Sequence, residues 1–436
     1  MTYRKFKADY LFMGEAAGPN LLGAAGLHGA GLLREGLVLV TTEDGTVQDI
    51  LPAAVAGWDV EYYPGILSPG FVNCHCHLEL SHMRGVLPEK TGLVDFLAAV
   101  IRRRGEMPAD AGAQGGGAQG GAGSRAGSGR GGAGFSREEW IQQAIAAGEQ
   151  EMLDNGIVAV GDICNTADTL SLKTEGRLYY HNFIETMGFI EQSAADRFAQ
   201  SLSVFKTFAE AYALPIEANS IVPHAPYSVS SALFQLVAGF PGNHVLTIHN
   251  QESEAENEFY LSGEGDFLRL YQQLGLDVSF FKGKGKRSMA DYLPHFYRNQ
   301  SLILVHNVAT REEDLRVAGG PTLYFCLCPN ANLYISGQLP DVDLLVRNGC
   351  RMVFGTDSLA SNHQLSILEE MKTVQRAFPR LGTPDLLQWA TGNGARALQL
   401  EGVLGSFTPG KQPGVVLIEN IDGERLGEKA TARRLL

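Results

Sequence analysis

The sequence predicts an α/β fold: a (β/α)8 barrel of the TIM type, accompanied by a small β subdomain to which both chain ends contribute. Three observations carry this. Short apolar runs alternate with helix-like segments from residue 157 to residue 357, the pattern of a parallel sheet whose strands are joined by crossover helices. With the run that begins at Phe71 there are eight such strands, the number that closes a barrel. The chain has 436 residues and is 44% hydrophobic, enough for one large barrel core and an accessory domain.

Residues 1–67 hold short extended runs, among them Gly36 to Val40 and Val47 to Leu51, separated by the Glu-Asp-Gly turn at 43–45. They read as the small β subdomain. The first barrel strand leaves a Pro69-Gly70 turn as Phe71-Val72 and ends in His75-Cys76-His77. Thr91 to Arg104 has helical periodicity, with Leu93, Phe96, Leu97, Val100 and Ile101 on one face. Its three closing arginines suit a helix C-terminus.

A Gly-rich stretch at about 105–134 cannot repay its ordering entropy by apolar burial. It is expected to be a flexible surface insertion and lacks the Lys-Ser/Thr end of a phosphate-binding loop. Ser136 with Glu139 forms a capping box, opening a helix that Asn155-Gly156 ends. The remaining strands are predicted at Ile157–Asp162, Leu178–Glu185, Ala218–His224, Val245–His249, Leu302–His306, Leu323–Cys328 and Met352–Asp357. Helices are predicted at Ala194–Tyr212, Ser230–Ala238, Phe267–Leu274, Glu312–Ala318, Asp341–Asn348, Leu365–Phe378 and Thr383–Ala397. A tail strand, Val415 to Glu419, can rejoin the N-terminal strands, giving domains of 1–67 plus 403–436 and of 68–402.

The net charge of −13 argues against a nucleic-acid partner. No run of 18 apolar residues predicts a membrane helix, and Met1 to Tyr10 lacks the apolar core of a signal peptide. The six cysteines do not make a disulfide framework. They read as reduced thiols in a cytoplasmic protein, with Cys74 and Cys76 facing away from the histidines with which they alternate.

In such a barrel, functional groups collect where strands end. Those ends carry His75 and His77, Glu185, His224, His249, His306 and Asp357. Positions i and i+2 of a strand share a side, so His75 and His77 can aim at one point. A His-x-His pair by itself is common on solvated strands; polar groups at the ends of so many successive strands are not. His75, His77, His249 and Asp357 can close on one divalent cation and leave a position for water. Zinc suits that donor set, with iron, nickel or cobalt as alternatives. Glu252, three residues past His249, can reach the same cavity as a proton shuttle. His306 can hold the hydroxide or stabilise charge developing on the substrate.

The motifs at these positions are Pro-Gly-Phe-Val-Asn-x-His-x-His at 69–77, Pro-His-Ala-Pro-Tyr-Ser at 223–228 and His-x-x-Glu-Ser-x-x-Glu at 249–256. Val-His-Asn at 305–307, Cys-Pro-Asn-Ala-Asn at 328–332 and Gly-Thr-Asp-Ser-Leu-Ala-Ser-Asn at 355–362 follow. Together they resemble the amidohydrolase superfamily, in the branch of cytosine, guanine and adenosine-type deaminases and chlorohydrolases. The resemblance implies a barrel with a small β-sandwich built from both termini. It implies His75, His77, His249 and Asp357 as metal ligands, Glu252 as general acid/base, and His306 as the group that polarises the reacting centre. It also implies that His224 touches substrate, a role Glu185 is expected to share. No lysine ends the fourth strand, where binuclear members carry a bridging lysine, so one metal is implied. Glu79, in His-Leu-Glu-Leu-Ser, is similar to members grouped with aminodeoxyfutalosine deaminase.

The expected activity is hydrolytic deamination of an adenine-bearing nucleoside or related heteroaromatic amine, with a small-molecule substrate and homo-oligomerisation left open. The competing readings are hydrolysis of a non-purine C–N or C–Cl bond, and a non-catalytic ligand-binding barrel.

Overall fold

The computed structural model describes residues 2–14, 33–106, 136–211, 218–316 and 320–436. Almost all of the predicted Gly-rich insertion lies outside them.

Strands from the two chain ends share one sheet. Tyr3–Phe12 (β1), Leu33–Arg34 (β2), Leu37–Thr42 (β3), Val47–Pro52 (β4) and Glu61–Ser68 (β5) come from the start of the chain; Val416–Glu419 (β14) and Thr431–Arg434 (β15) come from its end. The order is β15-β14-β5-β1-β3-β4, with β2 on β1. Phe6, Leu39, Leu67, Phe407 and Leu417 pack together as its apolar core. Gly45, at φ 87°, closes the β3–β4 turn, its N–H donating to the Thr42 carbonyl at 3.1 Å.

The barrel strands are Phe71–Cys76 (β6), Ile157–Cys164 (β7), Tyr179–Thr186 (β8), Asn219–Pro223 (β9), Val245–Asn250 (β10), Ser301–His306 (β11), Thr322–Leu327 (β12) and Arg351–Phe354 (β13). All eight match predicted runs. They form two parallel four-stranded sheets, β6-β7-β8-β9 and β10-β11-β12-β13. Backbone hydrogen bonds stitch both seams at the C-terminal ends. The His249 N–H donates to the His224 carbonyl at 2.9 Å, and the Thr356 and Asp357 N–H groups donate to the His75 carbonyl at 3.0 and 3.1 Å. The strands are apolar and buried on both faces because helices cover the outside and side chains fill the inside. At Gly355 a Cβ would meet His75 Cβ at 2.8 Å and the His75 carbonyl oxygen at 2.9 Å, so only glycine lets β13 approach β6 this closely.

The helix Arg137–Asp154 has the predicted capping box, with the Glu139 N–H donating to Ser136 Oγ at 3.1 Å. Ser230 and Asp341 likewise cap Ser231–Ala238 and Val342–Arg347. Thr383 to Ala397 is one helical stretch with a π turn at Trp389–Asn393. Of the predicted helix Glu312–Ala318, the described part is a single 3-10 turn, Asp314–Arg316, and Ala318 lies outside the described residues. Among the described residues four α-helices are additional to those predicted: Leu170–Lys173, Glu254–Ser262, Ser288–Tyr292 and Pro329–Ile335. Glu254–Ser262 is interrupted by Glu254, Glu256 and Glu258 and has no clear apolar stripe, and the other three are short. Only their punctuation marks them: Pro329 opens one, and Gly263, at φ 75°, ends another.

Candidate active site and metal centre

The strand ends converge. His75 and His77 leave β6 with ring centroids 4.9 Å apart, and His75 lies 4.9 Å from the His249 ring. Asp357 Oδ1 approaches His75 Nε2 at 3.6 Å and His77 Nε2 at 3.4 Å. The ligand atoms of His75, His77 and His249 all lie within 4.8 Å of one another. Both ring nitrogens of His75 and Nε2 of His249 are buried with no hydrogen-bond partner among the described residues. Buried polar atoms are rarely left unpaired, and three neutral imidazoles beside a carboxylate are the donor set of a zinc-type centre. These residues fit a divalent cation. Glu185 with His224 and His249, and Glu252 with His306 and His249, are also within ligating reach. Of these groups, the first has the Asp357 carboxylate beside it, at His75 and His77.

Electrostatics agree. Burial lowers the pKa of His75 and His249 and brings His77 and His224 down to about 4, so these imidazoles are neutral near neutral pH. Burial opposes ionisation of Asp357, but the contact with His75 and the proximity of His77 and His306 outweigh it and hold the carboxyl below its ordinary range. Ser361 Oγ donates to Asp357 Oδ2 at 2.5 Å. His306 and Asp357 sit in the left-handed region at φ 76° and 56°, a conformation that costs energy in non-glycine residues and clusters at functional sites.

Glu252 stands beside this group. Its carboxylate lies 3.8 Å from His249 Nδ1 and 3.6 Å from His306 Nε2, and burial raises its pKa to about 7. Glu185 Oε1 is 3.8 Å from His249 Nε2, and Glu185 Oε2 accepts from Asn165 Nδ2 at 3.1 Å. Asn165 is itself anchored by Glu79, whose Oε2 accepts from the backbone N–H groups of Asn165 and Thr166 at 3.0 and 3.1 Å. His224 packs 5.0 Å from the His249 ring and is fixed by Ser228 Oγ at 2.7 Å from its Nδ1. All the residues singled out in the sequence thus meet at one end of the barrel. Above them, side chains from several strand-to-helix connections, including Phe96, Phe189, Tyr227, Phe259 and Phe281, form a second apolar cluster.

Other polar groups take no part. Arg84 pairs with Glu151 and donates to the His363 carbonyl at 3.1 Å. In the Lys282–Arg287 stretch, Lys286 pairs with Asp291 at 2.8 Å, and Arg287 is buried against Asp314 at 2.9 Å. The described cysteines are free thiols. Sequence reading missed Asn332, Asn165 and Asn73. The first lies in the quoted Cys-Pro-Asn-Ala-Asn motif and the last in the His-x-His motif, where Asn73 Nδ2 donates to Thr356 Oγ1 at 2.8 Å; Asn165 has no such local signal.

Comparison with known proteins agrees with this geometry. The model of the amidohydrolase family matches residues 66–428. An adenosine deaminase of Helicobacter pylori is 27% identical over 341 residues, covering 77% of this chain and 75% of that one. A 5'-deoxyadenosine deaminase of Methanothermobacter thermautotrophicus is 25% identical over 424 residues, covering 92% and 83%. The crystal structure of Helicobacter pylori aminofutalosine deaminase has the same fold, with a TM-score of 0.73 at 21% identity, covering 100% of this chain and 98% of that one.

Proposed function

The chain belongs to the amidohydrolase family, and from that premise we propose that it hydrolytically deaminates an adenine-bearing nucleoside or nucleoside thioether, releasing ammonia. The observation that carries the reading is the position of Glu252. It is a buried carboxyl touching His249 and His306, outside the group formed by His75, His77 and Asp357. A binding module has no use for a proton carrier there.

His75, His77, His249 and Asp357 would hold one divalent cation, with zinc the best match to the donors. When bound, such a cation supplies a Lewis acid and lowers the pKa of water from about 16 to about 7. Glu252 gives a proton to the ring nitrogen next to the amine-bearing carbon, which makes that carbon electrophilic. Asp357 accepts a hydrogen bond from the attacking water, and His306 supports the site through its hydrogen bond with His249. Water adds and gives a proton to the Glu252 carboxylate, which carries it to the amine; the C–N bond breaks, ammonia leaves, and the added hydroxyl returns its proton to Glu252 as the ring carbonyl forms. His224 and Glu185 contact the nucleoside. The free thiols favour a cytoplasmic setting, and no helix among the described residues is long and apolar enough to cross a membrane.

The test is to incubate metal-replete protein with adenosine, S-adenosylhomocysteine, methylthioadenosine and aminodeoxyfutalosine, following ammonia and the change of adenine to hypoxanthine absorbance. A chloro-triazine and a lactam serve as controls. Stoichiometric ammonia from at least one adenine compound is expected. Reaction of the controls alone would replace this reading with another hydrolase branch.

A further inference from the structure

The buried tyrosines of the barrel mouth differ in one respect. Tyr260 donates its hydroxyl to the Pro226 carbonyl at 2.8 Å, Tyr271 donates to the Tyr227 carbonyl, and Tyr292 donates to Asn250 Oδ1 at 2.7 Å. Further out, Tyr180 donates to Glu149 at 2.9 Å and Tyr334 to the Leu87 carbonyl at 2.6 Å. Tyr227 is 2% exposed, yet its hydroxyl has no hydrogen-bond partner among the described residues. Native folds pair nearly all buried hydroxyls, so this one calls for a cause.

The residue is held in place from several sides. It lies in the 3-10 turn Pro226–Ser228 that follows β9. Tyr260 and Tyr271 grip the backbone of that turn on consecutive residues. The Tyr227 ring stacks on Phe267 at 4.1 Å and meets the His224 ring edge-on at 5.8 Å. Its ring position therefore does not depend on its own hydroxyl. Burial, with a smaller contribution from the charge of Glu252, keeps the hydroxyl protonated. It is a donor without a partner among the described residues, on a ring that meets His224, itself 5.0 Å from the His249 ring, and the mechanism above leaves it unused.

We propose that Tyr227 is a substrate-contact residue, and that its hydroxyl donates to an acceptor atom of the bound nucleoside. A site built around such a donor rejects ligands that leave it unpaired. The proposal rests on the nucleoside reading above.

Tyr227→Phe tests it, because that change removes the hydroxyl and keeps the ring. In the substrate-free, metal-replete protein the variant should melt no lower than wild type, since no protein contact is lost. For the adenine compound that wild type turns over, KM should rise about tenfold or more, with metal content equal. A lowered melting temperature with unchanged KM would mean that a structural partner holds the hydroxyl and would overturn the proposal. So would an unchanged KM alone, or a variant that cannot fold. If wild type turns over no adenine compound, the nucleoside reading fails first. Calorimetric binding of adenosine to both proteins then decides separately, equal or absent affinity counting against Tyr227.

Discussion

His306 Nδ1 lies 2.7 Å from the side-chain oxygen of Asn332. An amide oxygen only accepts, so Nδ1 carries the ring proton and His306 Nε2 presents a lone pair. That nitrogen lies 3.1 Å from His249 Nδ1, which must then be the donor. His249 is left with its lone pair on Nε2, the atom without a protein partner. Asn332 thus sets, through His306, the tautomer in which His249 can bind a cation.

Loss of this acceptor should weaken metal binding by about 10–100-fold, the usual effect of removing a ligand's outer hydrogen-bond partner. Asn332→Leu should show this in chelator competition, whereas Asn332→Asp, which keeps an acceptor, should stay close to wild type. Equal affinities in wild type and Asn332→Leu would show that the relay does not orient His249.

Glu256 gives a pH dependence of stability. It is buried between Ser288 Oγ at 2.5 Å and the Gln251 N–H at 3.0 Å, and burial raises its pKa from 4.5 to about 8. A raised folded-state pKa favours the protonated form. Its contribution is therefore complete below the unfolded value and is lost as pH rises through about 8. In metal-free protein, Glu256→Gln should reduce the loss of stability between about pH 5 and about pH 8 by about 1 kcal/mol or more, one pKa unit being worth about 1.4 kcal/mol. Urea midpoints at the two pH values measure it; parallel shifts in both proteins would contradict the assignment.

The convergence of His75, His77, His249 and Asp357 is legible because its signal is local. Strand alternation alone puts His75 and His77 on one side, and uninterrupted apolar runs end at His249 and His306. The barrel followed from the same runs. The supporting groups were not legible, because each joins segments distant in the chain. Glu79 reaches Asn165, His306 reaches Asn332, and Asn73 reaches Thr356; no spacing rule links them. The unpaired hydroxyl of Tyr227 depends on what surrounds it in space, although its Pro-His-Ala-Pro-Tyr-Ser motif was plain.

The central claim is that metal binding and proton transfer belong to different residues of one cluster, and Glu252→Gln separates them. Metal content and the rate of ammonia release should be measured on the same preparation, beside His249→Ala. Glu252→Gln should retain about one divalent ion per chain while kcat falls by about 10²–10⁴-fold, the usual worth of a general acid/base. His249→Ala should lose most of its metal. Equal metal in the two variants, or a Glu252→Gln rate within about tenfold of wild type, would contradict the account.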